Sequence, residues 1–145
     1  MIVSFYYSNS KPNIQVEIII KKLCAQAVKV LTLPSTIDIC FYDVPQSTHG
    51  AIDQTRFNRI ILNNNLRLNE LPMILVHELI HVEQRFMNKL IISKDGIYTW
   101  QNNKFRHSDV QNLNYEQYLE LPWEVDVQCR IKTTLKKILD LSLIS

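Results

Sequence analysis

The chain has 145 residues, 46% of them hydrophobic and 21% charged, and its 16 basic and 14 acidic side chains leave a net charge of +2. Residues 1–145 are therefore expected to form one globular domain that buries a core without disulfides or a structural metal, and the composition suggests neither disorder nor a membrane protein. So small a net charge argues against nucleic acid as a partner, and no apolar run approaches the roughly 20 residues that span a membrane.

The opening "IVSFYY" is rich in β-branched and aromatic residues and predicts a short strand before the turn-like "SNSKPN". It carries no secretory signal pattern, so a cytoplasmic location is the expectation. From about Pro12 to near Pro34 the period changes: Val16, Ile20, Leu23, Ala27 and Val30 recur every three or four residues and predict a helix with one apolar stripe. Thr36 to Asp43 alternates Ile37, Ile39 and Phe41 with more polar neighbours and reads as a strand. Two further short strands, Gly50 to Gln54 and Arg59 to Leu62, flank a polar turn and predict a hairpin.

A longer helix follows, with Asn69 as its expected N-cap and Pro72 in its first turn, running to about Lys89. It is apolar on most sides, as in a helix packed centrally. Asp95-Gly96 is a turn signal, and the residues on either side of Asn102-Asn103 alternate as in a small hairpin. Pro122 then opens a last helix carrying Val125, Ile131, Leu135, Ile138 and Leu139. Cys24 and Cys129 fall in helical stripes and are expected in the core, and the three cysteines form no CxxC pair.

Inside the apolar helix stands His77-Glu78-Leu79-Ile80-His81. Residues four apart lie on one helical face, so the two imidazoles can present nitrogens to a single point, and a zinc ion suits that pair. Glu78 is turned about 100° from His77, away from the ligand pair but within reach of a water at the same ion. A buried helix whose histidines bond to backbone or carboxylates would also carry this pattern. Catalytic zinc usually takes three protein ligands, and the downstream candidates are His107, Glu116, Glu120 and Glu124.

Glu124 lies 43 residues after His81, in "YLELPWEVDV" at the start of the last helix. With the HExxH pattern, this segment resembles the zincin metallopeptidases of the gluzincin branch, and most of all the minigluzincins and small phage-type metallopeptidases. In these, a tyrosine, then Pro, an aromatic residue and Glu, then a further acidic residue, recur at the third-ligand helix; this chain has Tyr118, Pro122, Trp123, Glu124 and Asp126. The resemblance implies a compact α+β zincin-like fold with an N-terminal helix, a small twisted sheet, an active-site helix and a C-terminal helix. It also implies one zinc ion held by His77, His81 and Glu124, and peptide-bond hydrolysis with Glu78 as general base. Gly50, Ala51, Ile52 and Asp53 would form the edge strand that pairs with an extended peptide or protein substrate. A phage-encoded member would work in the host cytoplasm or the virion, and its control would come from narrow substrate choice or a regulatory protein partner.

Other assignments stay open. Glu120 is the second choice for the third ligand. Asp126 is a candidate acceptor for a ligand imidazole, since larger gluzincins often place an acid where this chain has Gln128. Tyr118, Tyr115 and His107 are candidate donors to a transition-state oxyanion, although tyrosines before a helix and a hairpin histidine more often only pack. Trp123 reads as a packing anchor, and His49 as a surface residue near the edge strand. The rival from another class is a non-catalytic protein of the same fold that binds peptides or serves a structural role.

Overall fold

A computed structural model describes residues 1–8, 11–43, 50–52 and 56–144. Strand β1 (Ile2–Tyr7) leads through helix α1 (Ile14–Ala27) to strand β2 (Thr36–Tyr42), which lies parallel to β1 with Ile2 opposite Thr36. Parallel neighbours need a long return path, and the helix provides it. Beyond β2 comes β4 (Arg59–Asn63), also parallel, and then β3 (Gly50–Ile52), antiparallel to β4, so the sheet order is β1-β2-β4-β3. The expected pairing of the two short strands is present, and β3 is the edge. His49 and Asp53 lie outside the described residues.

Three local expectations are corrected. Helix α1 stops at Ala27 rather than near Pro34: the N–H groups of Lys29 and Val30 turn back to Gln26 and Ala27, and that of Thr32 is taken by the Glu83 carboxylate at 2.6 Å. In β2 every residue from Ile37 to Phe41 is buried, Asp38 and Cys40 included, because β2 is an inner strand and Arg56 and Arg59 approach Asp38 at 3.5 and 4.0 Å. Helix α2 (Leu71–Phe86) has Glu70, not Asn69, at its N-cap, with no side-chain cap bond. It ends before Lys89 because Asn88 adopts the left-handed conformation, φ 59°, so that Asn88 N–H bonds to Arg85 and Lys89 N–H to Gln84. That is a Schellman stop with asparagine in glycine's usual place.

The main core joins Ile20 and Leu23 of α1, Leu75 and Leu79 of α2, and Ile37, Ile39, Phe41, Ile60 and Leu62 of the sheet. Val127 and Ile138 complete it from the last helix, α5 (Pro122–Ile144).

After α2 the chain makes a second antiparallel sheet, β5 (Leu90–Ile92), β6 (Ile97–Trp100) and β7 (Asn103–Arg106), in that order. Strand β5 is not foreseen by the sequence pattern. Gly96 sits between β5 and β6 at φ +76°, where a Cβ would come within 3.4 Å of His107, and its carbonyl accepts from His107 N–H. Helices α3 (His107–Gln111) and α4 (Tyr115–Leu119) follow, the latter opened by a reciprocal capping box between Asn114 and Gln117. Leu90, Tyr98, Leu121 and Trp123 form a separate small core under this sheet. With Trp123 buried, Val125 is 43% exposed, and Cys129, four residues on along the same outward stripe, is exposed rather than in the core. Leu139 is likewise outside it. The architecture is the expected compact α+β arrangement. No described helix is long and apolar enough to cross a membrane.

Candidate metal centre

Helix α2 sets the first half of the site by its own periodicity. Nε2 of His77 and Nε2 of His81 converge to 3.2 Å, with the two rings nearly perpendicular at 71°. His77 keeps a third of its side chain in solvent, whereas His81 is buried. The first turn of α5 brings Glu124 opposite them: Oε1 lies 2.9 Å from His81 Nε2, and Oε2 lies 3.4 Å from His77 Nε2. Ligand atoms of these three residues all fall within 4.8 Å of one another.

Gln84, and not Asp126, meets the His81 ring nitrogen that points away from Glu124. Gln84, fully buried on α2, donates from Nε2 to the Trp123 carbonyl and to Asp126 Oδ2, both at 2.9 Å. That fixes the amide's orientation, so its Oε1, 2.8 Å from His81 Nδ1, accepts a proton from the ring. His81 is thereby held as the tautomer that turns a free Nε2 toward Glu124. Asp126 does not meet an imidazole itself; it acts one step removed, through Gln84. Arg130 in turn ties Asp126, at 2.9 Å, to the buried Glu83. Gln84 escaped the sequence reading, although its place one turn beyond His81 on an otherwise apolar helix was a visible signal.

Tyr118 donates its hydroxyl to Glu124 Oε1 at 2.7 Å, so it orients the carboxylate in this structure. Tyr115 is 75% exposed. Glu120, at the C-cap of α4, is exposed and outside the cluster. His107 is also apart from it: it opens α3, and its Nδ1 lies 3.2 Å from the Tyr98 hydroxyl, with the two rings stacked. Trp123 is buried against Tyr98 and Phe105, as a packing anchor should be. Gln128 bonds the Leu119 carbonyl and does not reach a histidine.

Burial pushes the Glu78 carboxyl up from its ordinary range, against the pull of the His81 and His77 imidazoles, and the nearby Glu124 charge adds to the rise. Burial would also raise Glu124, but the His77 and His81 imidazoles and the Tyr118 hydroxyl outweigh it and hold that carboxyl well below the usual carboxylate range. For His81 burial works downward and is outweighed by Glu124, Glu78 and Gln84, so its imidazole is shifted up.

The residues fit a divalent metal. Glu124 Oε2 is buried and has no hydrogen-bond partner, an orphan that the unpaired side of a ligand carboxylate would explain. The two imidazole nitrogens lie 3.2 Å apart, close to the about 3.3 Å expected of two ligands bound tetrahedrally at 2.0 to 2.1 Å. Two histidines and one carboxylate are also the donor set of catalytic zinc in several hydrolases.

Fold and site together describe an α+β protein with a His-His-Glu centre suited to a metal and a buried carboxylic acid beside it. The chain belongs to the family described as "Putative metallopeptidase family (DUF6782)", which it matches over residues 19–119. The match takes in His77, Glu78 and His81 and stops short of Glu124. No curated protein and no solved structure matches the chain significantly.

Proposed function

We propose that the chain is a zinc-dependent peptidase of the gluzincin type, with His77, His81 and Glu124 as metal ligands and Glu78 as general base. The observation that carries this reading is the convergence, to within 4.8 Å of one another, of ligand atoms from His77 and His81 on α2 and Glu124 on α5, with Glu78 on α2 beside them. Bound zinc would supply Lewis acidity, acidifying a water and polarising the scissile carbonyl.

The chain's own residues do the rest. Gln84 fixes the His81 tautomer, and Tyr118 fixes the Glu124 carboxylate. The buried environment of Glu78 raises its proton affinity, which suits a group that takes a proton from the attacking water and returns it to the leaving amine. Edge strand β3 runs beside α2, so an extended peptide or protein substrate can add to its backbone and lie across the centre. This mode of binding draws on main-chain groups and asks little of substrate sequence.

The test is metal content together with proteolysis. The zinc-loaded protein is expected to hold one ion per chain and cleave extended peptides, while Glu78→Gln keeps the ion and loses hydrolysis by about 100-fold or more. A Glu78→Gln protein as active as its parent overturns the assignment of the base. A protein that binds zinc yet cleaves nothing favours a non-catalytic peptide-binding or structural role on the same fold.

A further inference from the structure

A groove of about 700 Å³ runs between the C-terminal end of α2 and strand β5. Phe57 and Phe86 stack along it at 6.0 Å, and Leu90 and Ile92 line the other wall. Phe57 is 40%, Phe86 41% and the neighbouring Ile91 48% exposed. Contiguous open apolar surface of this kind marks a binding site. The charged residues among its lining are Arg85 and Lys94, both basic.

The groove adjoins the metal centre. Phe57 and Arg85 also wall the narrow crevice onto which Glu78, His81 and Val82 open. Ile52 of β3 pairs with Ile60, which lines the same crevice, so a peptide laid along β3 passes close to it at the Ile52 end. Its volume admits a large side chain with its neighbours.

We propose that this groove is the specificity subsite of the enzyme, taking a bulky apolar side chain of the substrate with an acidic residue beside it. The occupant is a stretch of the substrate peptide: Phe57 and Arg85, shared with the crevice at Glu78, set the groove beside the centre, and Arg85 and Lys94 select the acidic neighbour. The inference rests on the peptidase reading and adds a sequence preference that backbone pairing alone does not provide. Binding energy from a side chain remote from the scissile bond then raises kcat/KM.

The experiment profiles cleavage of an extended octapeptide library, with Phe, Leu, Ser and Lys at each scanned position and Asp or Lys beside it, by zinc-loaded parent, Phe86→Ala and Lys94→Glu proteins. The parent is expected to prefer Phe or Leu next to Asp at one fixed distance from the cut by about 10-fold or more. Phe86→Ala should erase the preference, chiefly through KM, and Lys94→Glu should turn it toward a lysine neighbour. Zinc content and melting temperature should not move; if Phe86→Ala lowers the latter, Ile91→Lys blocks the same groove. No preference in the parent, or an unchanged preference in the variants, overturns the proposal.

If the parent cleaves none of the library, the peptidase reading fails, and the groove is judged by fluorescence anisotropy with a fluorescein-labelled octapeptide containing Asp-Phe-Asp. Binding that is lost in Phe86→Ala retains it as a peptide groove, and absence of binding overturns it.

Discussion

Of the two hydrophobic clusters among the described residues, the larger packs α1, α2 and α5 against the four-stranded sheet, whereas the buried members of the smaller are Leu90, Tyr98, Leu121 and Trp123 under β5 to β7. The larger one holds the helix that carries both histidines. The smaller one holds the start of α5, and so the carboxylate that faces them. One wall of the metal centre therefore rests on the broad core, while the other is set at the first turn of α5 by the small cluster around Trp123 and tied to the broad core further along α5 by Val127 and Ile138. Loosening the small cluster is therefore expected to displace the Glu124 carboxylate more than the histidine helix.

Truncating each core in turn separates their contributions. Trp123→Ala should cost about 3 to 5 kcal/mol and Leu79→Ala about 2 to 5 kcal/mol, read by urea denaturation. The distribution matters more than the totals: hydrogen exchange should accelerate in β5 to β7 and the first turns of α5 for Trp123→Ala, but across α1, α2 and β2 for Leu79→Ala. Uniform acceleration in both variants would show one cooperative core instead of two.

Next in size is the carboxylate itself. Glu124→Ala should weaken zinc binding by more than the about 10- to 100-fold that loss of an outer partner costs, while Glu120→Ala leaves affinity unchanged in chelator competition. The reverse ranking would move the third ligand.

Gln84→Ala is expected to fall within that 10- to 100-fold range, because His81 loses the acceptor that sets its tautomer, while the histidine helix stays folded. An affinity equal to the parent's would reduce Gln84 to packing.

The smallest expected effect is a pH dependence confined to the larger core. Burial pushes the Cys24 thiol up from 9.0 to about 12. Between those values the unfolded chain loses this proton and the folded chain keeps it, so the contribution is complete below about pH 9 and shrinks as pH rises. By pH 10 the loss amounts to about 1 kcal/mol. Denaturation at pH 8 and pH 10 should show that difference in the parent and not in Cys24→Ala; equal slopes would mean that the thiol is solvated.

Much of the architecture was legible in the chain. The apolar stripe of α1, the β-branched runs of β1, β2 and β4, and the apolar length of α2 follow from period and propensity. Helix ends were less so. Asn88 stopped α2 early because asparagine, like glycine, tolerates positive φ, and α1 was cut short where Glu83, 51 residues away, took the Thr32 amide. Strand β5 is only three residues long and takes its identity from its partner β6, so its sequence carries no period of its own. Cys129 and Val125 look like core by spacing and are exposed by rotation.

The same division runs through the site. Local spacing alone determines that His77 and His81 share a helical face with Glu78 beside them, because helix geometry is set by hydrogen bonds four residues apart. Only the tertiary structure decided that Glu124, and not Glu120 or His107, arrives opposite them, and that Gln84 stands between His81 and Asp126. The physical reason is that burying Trp123 fixes the rotation of α5, turning Glu124 inward and Val125 out. Such a rotation depends on side chains from β6, β7 and α2 that no short window of sequence contains.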